Sequence, residues 1–295
     1  MPPLSAAPVP EHERARPSAA EVASAAQLAC LLEVSAPKPG NVAPGRAFHD
    51  TRYEDFLASA AAIGPALLAA GTRPLGATIL DAIEATSRWT SANTNLGIVL
   101  LLAPLARATL APEEGALRVR LARVLAATTV QDAVDVYAAI RLARPAGLGR
   151  AEAQDVHDAP TLTLRAAMTL AAARDDIARE YATDFAATFE IGAPALARAR
   201  ADGLDWSDAI VETFLTLLAE RPDTHIARKL GPLAAQEVST QARTVLHGGG
   251  VRTDAGRAQL AAFDGALRDP RNARNPGTTA DLVAAAIYVV VLHGG

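Results

Sequence analysis

The apolar positions of this chain recur at helical spacing almost from end to end. Val22, Ala26, Ala29 and Leu32 predict a first helix over Glu21–Val34, stopped by Pro37. The same periodicity predicts helices over Tyr53–Ala70, Leu75–Trp89, Leu117–Ala127, Asp132–Ala143, Trp206–Glu220, Pro232–Leu246, Asp254–Leu267 and Gly277–Leu292. Thr163–Ala199 reads as two helices parted near Arg174-Asp175, and Asp223 and Gly231 bracket a short one. Leu96–Ala106 is the most apolar stretch; with Pro104 and Arg107 interrupting it, it falls short of the ~20 residues a bilayer needs and predicts a buried core helix. No strand–helix alternation and no short-period repeat is visible. The expected fold is all-α: a single large multi-helix domain over residues 19–295, with polar loops converging on one site. Residues 1–18, with five prolines and the charged run Glu11-His12-Glu13-Arg14, predict a disordered tail without the apolar core of a signal peptide.

Composition narrows the classes. Half of the residues are hydrophobic but only 4% are aromatic, so the core is expected to be built from closely packed Ala- and Leu-rich helices. A formal charge of -4 and a pI near 5.9 leave no basic excess for nucleic acid. Cys30 is the only cysteine, which excludes an intramolecular disulfide and a thiolate zinc cluster, fits a reducing cytoplasm and reads as a small buried hydrophobe. The positive mean hydropathy, +0.14, points towards a homodimer.

Candidate chemistry sits in the loops. In Ser35-Ala36-Pro37-Lys38-Pro39-Gly40-Asn41-Val42, two prolines stiffen the chain around Lys38, and Gly40 permits a turn or a close approach to a ligand. Lys38 so presented is a candidate phosphate contact. Thr51 and Glu54 have capping-box spacing, with His49 and Asp50 just before them. Asn93-Thr94-Asn95-Leu96-Gly97 brings small polar groups to the start of the most apolar helix, as an elaborate cap or as a pocket lining. Asp155, His157 and Asp158 lie close enough to hold a metal, in no recognised metal spacing. After Asp223, Thr224 and Arg228 share one helical face, and His225 and Lys229 share another. His247-Gly248-Gly249-Gly250 lacks the Lys-Ser/Thr of a P-loop. In Arg274-Asn275-Pro276-Gly277-Thr278-Thr279-Ala280-Asp281, Thr278 and Asp281 have capping-box spacing, and a helix start behind a basic loop suits phosphate.

Taken in order, these loops resemble the motifs of the triphosphoribosyl-dephospho-coenzyme A synthase family. Lys38-Pro39-Gly40-Asn41-Val42 resembles its KPG-x-V element, and Asn93-Thr94-Asn95-Leu96-Gly97 its NT-x-x-G element. Pro222 to Gly231 is similar to its DTN-type segment, and Asn275 to Leu282 to its NPG-G-S-ADLL ending. The resemblance implies an all-helical enzyme with ATP as substrate, in which an acceptor hydroxyl attacks the ribose C1′ and displaces adenine while the triphosphate stays on the ribose. On that reading Lys38, Gly40, Asn41, Arg228, Lys229, Gly277 and Thr278 grip phosphate. Asn93, Thr94, Asn95 and Asn275 orient ribose. Asp223, Asp281 and His225 carry the catalysis, and Asp223 or Asp281 holds Mg²⁺. The implied partners are small molecules, with no nucleic acid and no membrane.

The chain departs from the family pattern in three places. Asn95-Leu96 stands where a His-Lys pair is frequent, His225 stands where Asn is common, and Gln154-Asp155-Val156-His157-Asp158 matches no element of the coenzyme A enzymes. The departures resemble a branch associated with methanopterin-type one-carbon cofactors, which implies the same ribosyl transfer onto a cofactor precursor. An N-glycosidic hydrolase and a non-catalytic nucleotide-binding protein are the readings from other classes.

Overall fold

Two helices with apolar residues on nearly every side form the centre of the molecule. α5 (Leu96–Leu110) and α15 (Gly277–His293) pack on each other, and Leu101, Leu102, Val283 and Ile287 are fully buried. A helix apolar all round has to be enclosed by others. The remaining helices supply that shell: α1 (Ala19–Ser35), α2 (Tyr53–Ala62), α3 (Gly64–Leu68), α4 (Leu75–Ser87), α6 (Leu117–Ala126), α7 (Val130–Ala143), α8 (Leu164–Ala171), α9 (Asp176–Ala182), α10 (Ala193–Ala201), α11 (Trp206–Glu220), α12 (Thr224–Leu230), α13 (Pro232–His247) and α14 (Asp254–Leu267). A π-helical segment, Ala187–Gly192, leads into α10. This computed structural model describes residues 16–293; among them the fold is all-α, with a single isolated bridge between Ala43 and Arg46. No described helix is long and apolar enough to cross a membrane.

Local chemistry explains where the helices depart from the sequence expectation. α5 does not stop at Pro104 but runs on to Leu110. Proline there has no N–H for the Leu100 carbonyl, and the Tyr181 hydroxyl of α9 donates to that oxygen instead at 2.7 Å. The stretch expected as one helix over Tyr53–Ala70 splits at Ile63, where Gly64-Pro65 opens α3. Its start is not capped by Thr51. Arg52 is the cap residue, and Asp55 accepts its backbone N–H at 2.8 Å. Thr163–Ala199 breaks a second time at Asp184-Phe185, both with positive φ. Just beyond, buried Glu180 accepts the N–H groups of Ala187 and Thr188, each at 2.9 Å.

Residues 1–15, most of the expected tail, lie outside the described residues. Arg16 pairs with Glu114, and Ser18 caps α1 through a capping box with Glu21. Cys30 is buried in α1, and burial pushes its thiol pKa up, as expected of an inert core thiol.

Candidate active site

Three helix starts meet at one end of the α5–α15 pair, and a single buried carboxylate ties two of them together. One oxygen of Asp223 accepts the N–H groups of His225 (2.8 Å) and Ile226 (3.1 Å) at the start of α12. The other accepts the Thr279 N–H (2.7 Å) and hydroxyl (2.8 Å) at the start of α15. Thr224 continues the stitching: its hydroxyl accepts from the Asp176 N–H at the start of α9 (3.2 Å) and meets the Thr278 hydroxyl (3.3 Å). The anion expected at the α15 N-terminus is therefore internal. Asp223 fills it, and Thr278 and Asp281 lie within the helix instead of forming a capping box. Burial raises the pKa of the Asp223 carboxyl, against the pull of its donors.

Beside this junction lies a cavity of about 690 Å³, within the range of small-molecule sites. Asn93–Gly97 and Asn275–Asp281, 178 positions apart at their nearest ends, form part of one wall. Glycine makes their meeting possible: a Cβ on Gly97 would fall 2.1 Å from an Asp281 carboxylate oxygen. Asp281 opens into the cavity, and no described residue hydrogen-bonds its carboxyl. Burial above all, then the carboxylates of Glu33, Asp223 and Asp175, push its pKa well above the usual carboxylate range, while Arg228 opposes them.

His225 and Arg228 also line the cavity. An Arg228 terminal nitrogen donates to His225 Nδ1 at 3.3 Å; arginine has no acceptor, so the histidine proton resides on Nε2. Burial, then Lys229 and Arg228, push the His225 imidazole down to about 3, so it is neutral near pH 7. In this state His225 offers the cavity a hydrogen-bonding group. Arg228 also pairs with Asp175 at 2.5 Å, and its Nε is buried without a partner.

Several expected phosphate contacts are turned to other work. Lys38 is fully buried, and its ammonium pairs with Glu33 at 2.8 Å and donates to the Glu33 and Ala36 carbonyls. It reaches the cavity only through Glu33, which is part of the wall. Gly40 adopts φ +72°, donates to Asp264 at 2.8 Å, and leaves no room for a Cβ against Leu267. Lys229 donates to the Asn272 carbonyl at 3.2 Å, outside the cavity lining.

Asn41, Asn93, Thr94, Asn95, Asn275, Gly277 and Thr278 do line the cavity. Most of their polar groups are committed: Asn95 donates to Thr86 at 3.0 Å, Thr94 meets Ser59 at 2.5 Å, and Asn93 accepts the Leu96 N–H at 3.2 Å. Asn275 differs, since its Oδ1 is buried with no partner. Such an atom is costly unless a ligand or water satisfies it.

The wall holds residues that the motifs did not single out. Glu33 is one. Arg150 and Arg174 are two exposed cations, and neither has a carboxylate partner among the described residues. Arg174 was legible only as a helix break. Asp155 belongs to the lining but is not a metal ligand: it accepts the N–H groups of Ala151 (2.6 Å) and His157 (2.9 Å) and pairs with the His157 ring. No group of three metal-ligating side chains occurs among the described residues. Asp223 does not fit a resident metal, because both its oxygens are taken and neither faces the cavity.

Comparison with known proteins places the chain in a family. A family model described as ATP:dephospho-CoA triphosphoribosyl transferase matches residues 19–295. A Pseudomonas fluorescens protein named "Probable 2-(5''-triphosphoribosyl)-3'-dephosphocoenzyme-A synthase" is 36% identical over 119 residues, 40% of each chain. The corresponding synthase of Klebsiella pneumoniae is 33% identical over 96 residues, 32% of this chain and 34% of its own. The matched segments thus span well under half the length of these curated relatives. The crystal structure of a candidate triphosphoribosyl-dephospho-CoA synthase from Archaeoglobus fulgidus superposes with a TM-score of 0.63 at 28% identity, covering 81% of this chain and 99% of that one. With its family match running from α1 to the C-terminus, the chain belongs to the ATP:dephospho-CoA triphosphoribosyl transferase family.

Proposed function

We propose that the protein transfers the triphosphoribosyl group of ATP to dephospho-CoA, an acceptor hydroxyl displacing adenine from the ribose C1′. The observation that carries this reading is the meeting of Asn93–Gly97 with Asn275–Asp281 in one cavity wall, with the Asp281 carboxyl left open to the interior. The reaction needs cations for a triphosphate, hydrogen bonds for a ribose and groups that move protons. Arg150 and Arg174 are the cations free to meet phosphate, and Arg228 adds a third near Asp175. Asn275, with its unsatisfied oxygen, is the ribose-hydroxyl acceptor. His225 Nε2 donates to the bound nucleotide. Magnesium enters as the ATP complex, and no step is assigned to a metal held by the protein.

The acceptor is where this chain departs most from the family pattern. Gln154, Asp155 and Val156, from the unmatched stretch, line the cavity. That favours a second acceptor class, a precursor of a tetrahydromethanopterin-type cofactor, with unchanged chemistry at ATP. Chromatography of ATP and Mg²⁺ incubated with either acceptor tests both. Adenine appearing only with dephospho-CoA supports the first reading, and adenine appearing only with the pterin precursor moves the assignment to the second. Adenine formed without any acceptor would make the protein a hydrolase. ATP binding with no adenine under any condition would make it a nucleotide-binding protein. Arg174→Ala is expected to raise the ATP KM about tenfold, the loss of one charge-assisted contact.

A further inference from the structure

Lys38 raises a question that phosphate binding does not answer. An ammonium has three protons to donate, and here they meet the Glu33 carboxylate, the Glu33 carbonyl and the Ala36 carbonyl. Nothing is left for a ligand. A fully buried ion pair is costly to desolvate and is weak support for stability as such. What the pair does is fix a carboxylate in the cavity wall, because Glu33 lines the same cavity as Asp281. The two carboxyls differ in their polar partners. Glu33 has a cation bonded to it. Asp281 has no described hydrogen-bond partner and packs against Gly97.

We propose that Glu33, held in place by Lys38, is the base that takes the proton of the acceptor hydroxyl, and that Asp281 is the acid that protonates departing adenine. This rests on the transfer reading above and assigns its proton movements. The acceptor oxygen forms its bond to C1′ as its proton passes to Glu33. The C1′–N9 bond breaks with its electron pair going to the purine, and the Asp281 proton goes to a purine ring nitrogen. Glu33 ends protonated and Asp281 ionised, and exchange with solvent resets both. Lys38 is the positioning residue: it acts on the reaction through Glu33.

The groups facing Asp281 agree with an acid. Glu33 and the Cys30 thiol face it from α1, and α12 and its cap bring Asp223 and Arg228. Asp175, the cap of α9, completes the set. Burial, and then the carboxylates of Glu33, Asp223 and Asp175 against Arg228, keep the proton on Asp281. Two carboxyls in unlike surroundings can divide acid and base chemistry between them.

The test is the pH dependence of single-turnover adenine release by the full chain, with ATP, Mg²⁺ and dephospho-CoA. Activity is expected to be lost in alkali as Asp281 ionises. Glu33→Gln keeps an oxygen for Lys38 and is expected to lower the rate about 100-fold or more without changing the ATP KM. Glu33→Asp is expected to retain more activity than Glu33→Gln. Asp281→Asn is expected to lose the alkaline limb and to recover on ATP methylated at N7, whose purine leaves without a proton; Glu33→Gln is expected not to recover. Infrared difference spectra read the ground state without turnover: a protonated-carboxyl band at neutral pH, absent in Asp281→Asn, is expected. Glu33→Gln at full rate, a loss seen only as a raised Mg²⁺ requirement, no rescue of Asp281→Asn, or no such band would overturn the assignment. A wild-type protein that releases no adenine would instead overturn the transfer reading on which it rests.

Discussion

At the scale of single residues, one missing Cβ and one saturated carboxylate set the site. Gly97→Ala would press a methyl group onto Asp281, and the carboxyl has to move. Adenine release is expected to fall at least about tenfold, with a stability loss of about 1–3 kcal/mol measured by urea unfolding. Asp223→Ala strips the caps from α12 and α15 together and leaves buried donors unmet. A loss of about 2–4 kcal/mol is expected in the same measurement. His225 gives a pH signature. Its folded pKa is depressed from 6.5 to about 3, so the unfolded chain binds the proton first as pH falls. Stability from this group is therefore fully present above about 6.5 and is lost as pH drops towards about 3. Its imidazole NMR signals are expected not to titrate between about pH 5 and 8.

These residues also mark how far the sequence could be read. Two of the loops that stood out by their Asn, Gly and Pro and by resemblance to the family's motifs, Asn93–Gly97 and Asn275–Asp281, do line one cavity. Which way each side chain turns was not legible. Lys38 looks like an exposed loop lysine because its partner Glu33 lies in the preceding helix, where an acidic residue reads as a solvated face. Asp223 reads as the cap of one short helix; that it also holds the start of α15 is not visible, because the Thr279 donors come from 56 positions away. Arg174 carries no motif at all.

At the scale of elements, α5 shows how a helix breaker is absorbed. Pro104 frees the Leu100 carbonyl, and Tyr181 covers it from α9. Tyr181→Phe is expected to cost about 1–2 kcal/mol by urea unfolding, because a buried carbonyl loses its donor. In a Pro104→Ala background the helix supplies its own N–H, and the same change is expected to cost little. A double-mutant cycle reads the difference, and equal costs in both backgrounds would refute the link. The periodicity placed the helices within a turn because burial follows the 3.6-residue repeat. It placed the breaks poorly, since Ile63-Gly64, Asp184-Phe185 and the π-helical segment depend on contacts from other elements.

At the scale of the whole molecule, the all-α shell exists to bury α5 and α15 and to leave one end of that pair open as a cavity. The KPG loop is part of this frame. Asp264 of α14 accepts the Gly40 N–H at 2.8 Å, and Arg268 donates to the Asn41 carbonyl at 2.9 Å. The loop that resembles a phosphate grip is clamped to the helix that precedes Asn275, and its Lys38 pairs with Glu33 of the cavity wall. Family membership and cavity together lead to one central claim, that ATP gives up adenine while its triphosphoribosyl group moves intact to an acceptor.

The most direct measurement of that claim is the intact mass of dephospho-CoA after incubation with the protein, ATP and Mg²⁺. The account predicts a product heavier by one triphosphoribosyl unit, with one adenine released per product. An unchanged acceptor mass, with adenine formed at the same rate in its absence, would contradict it.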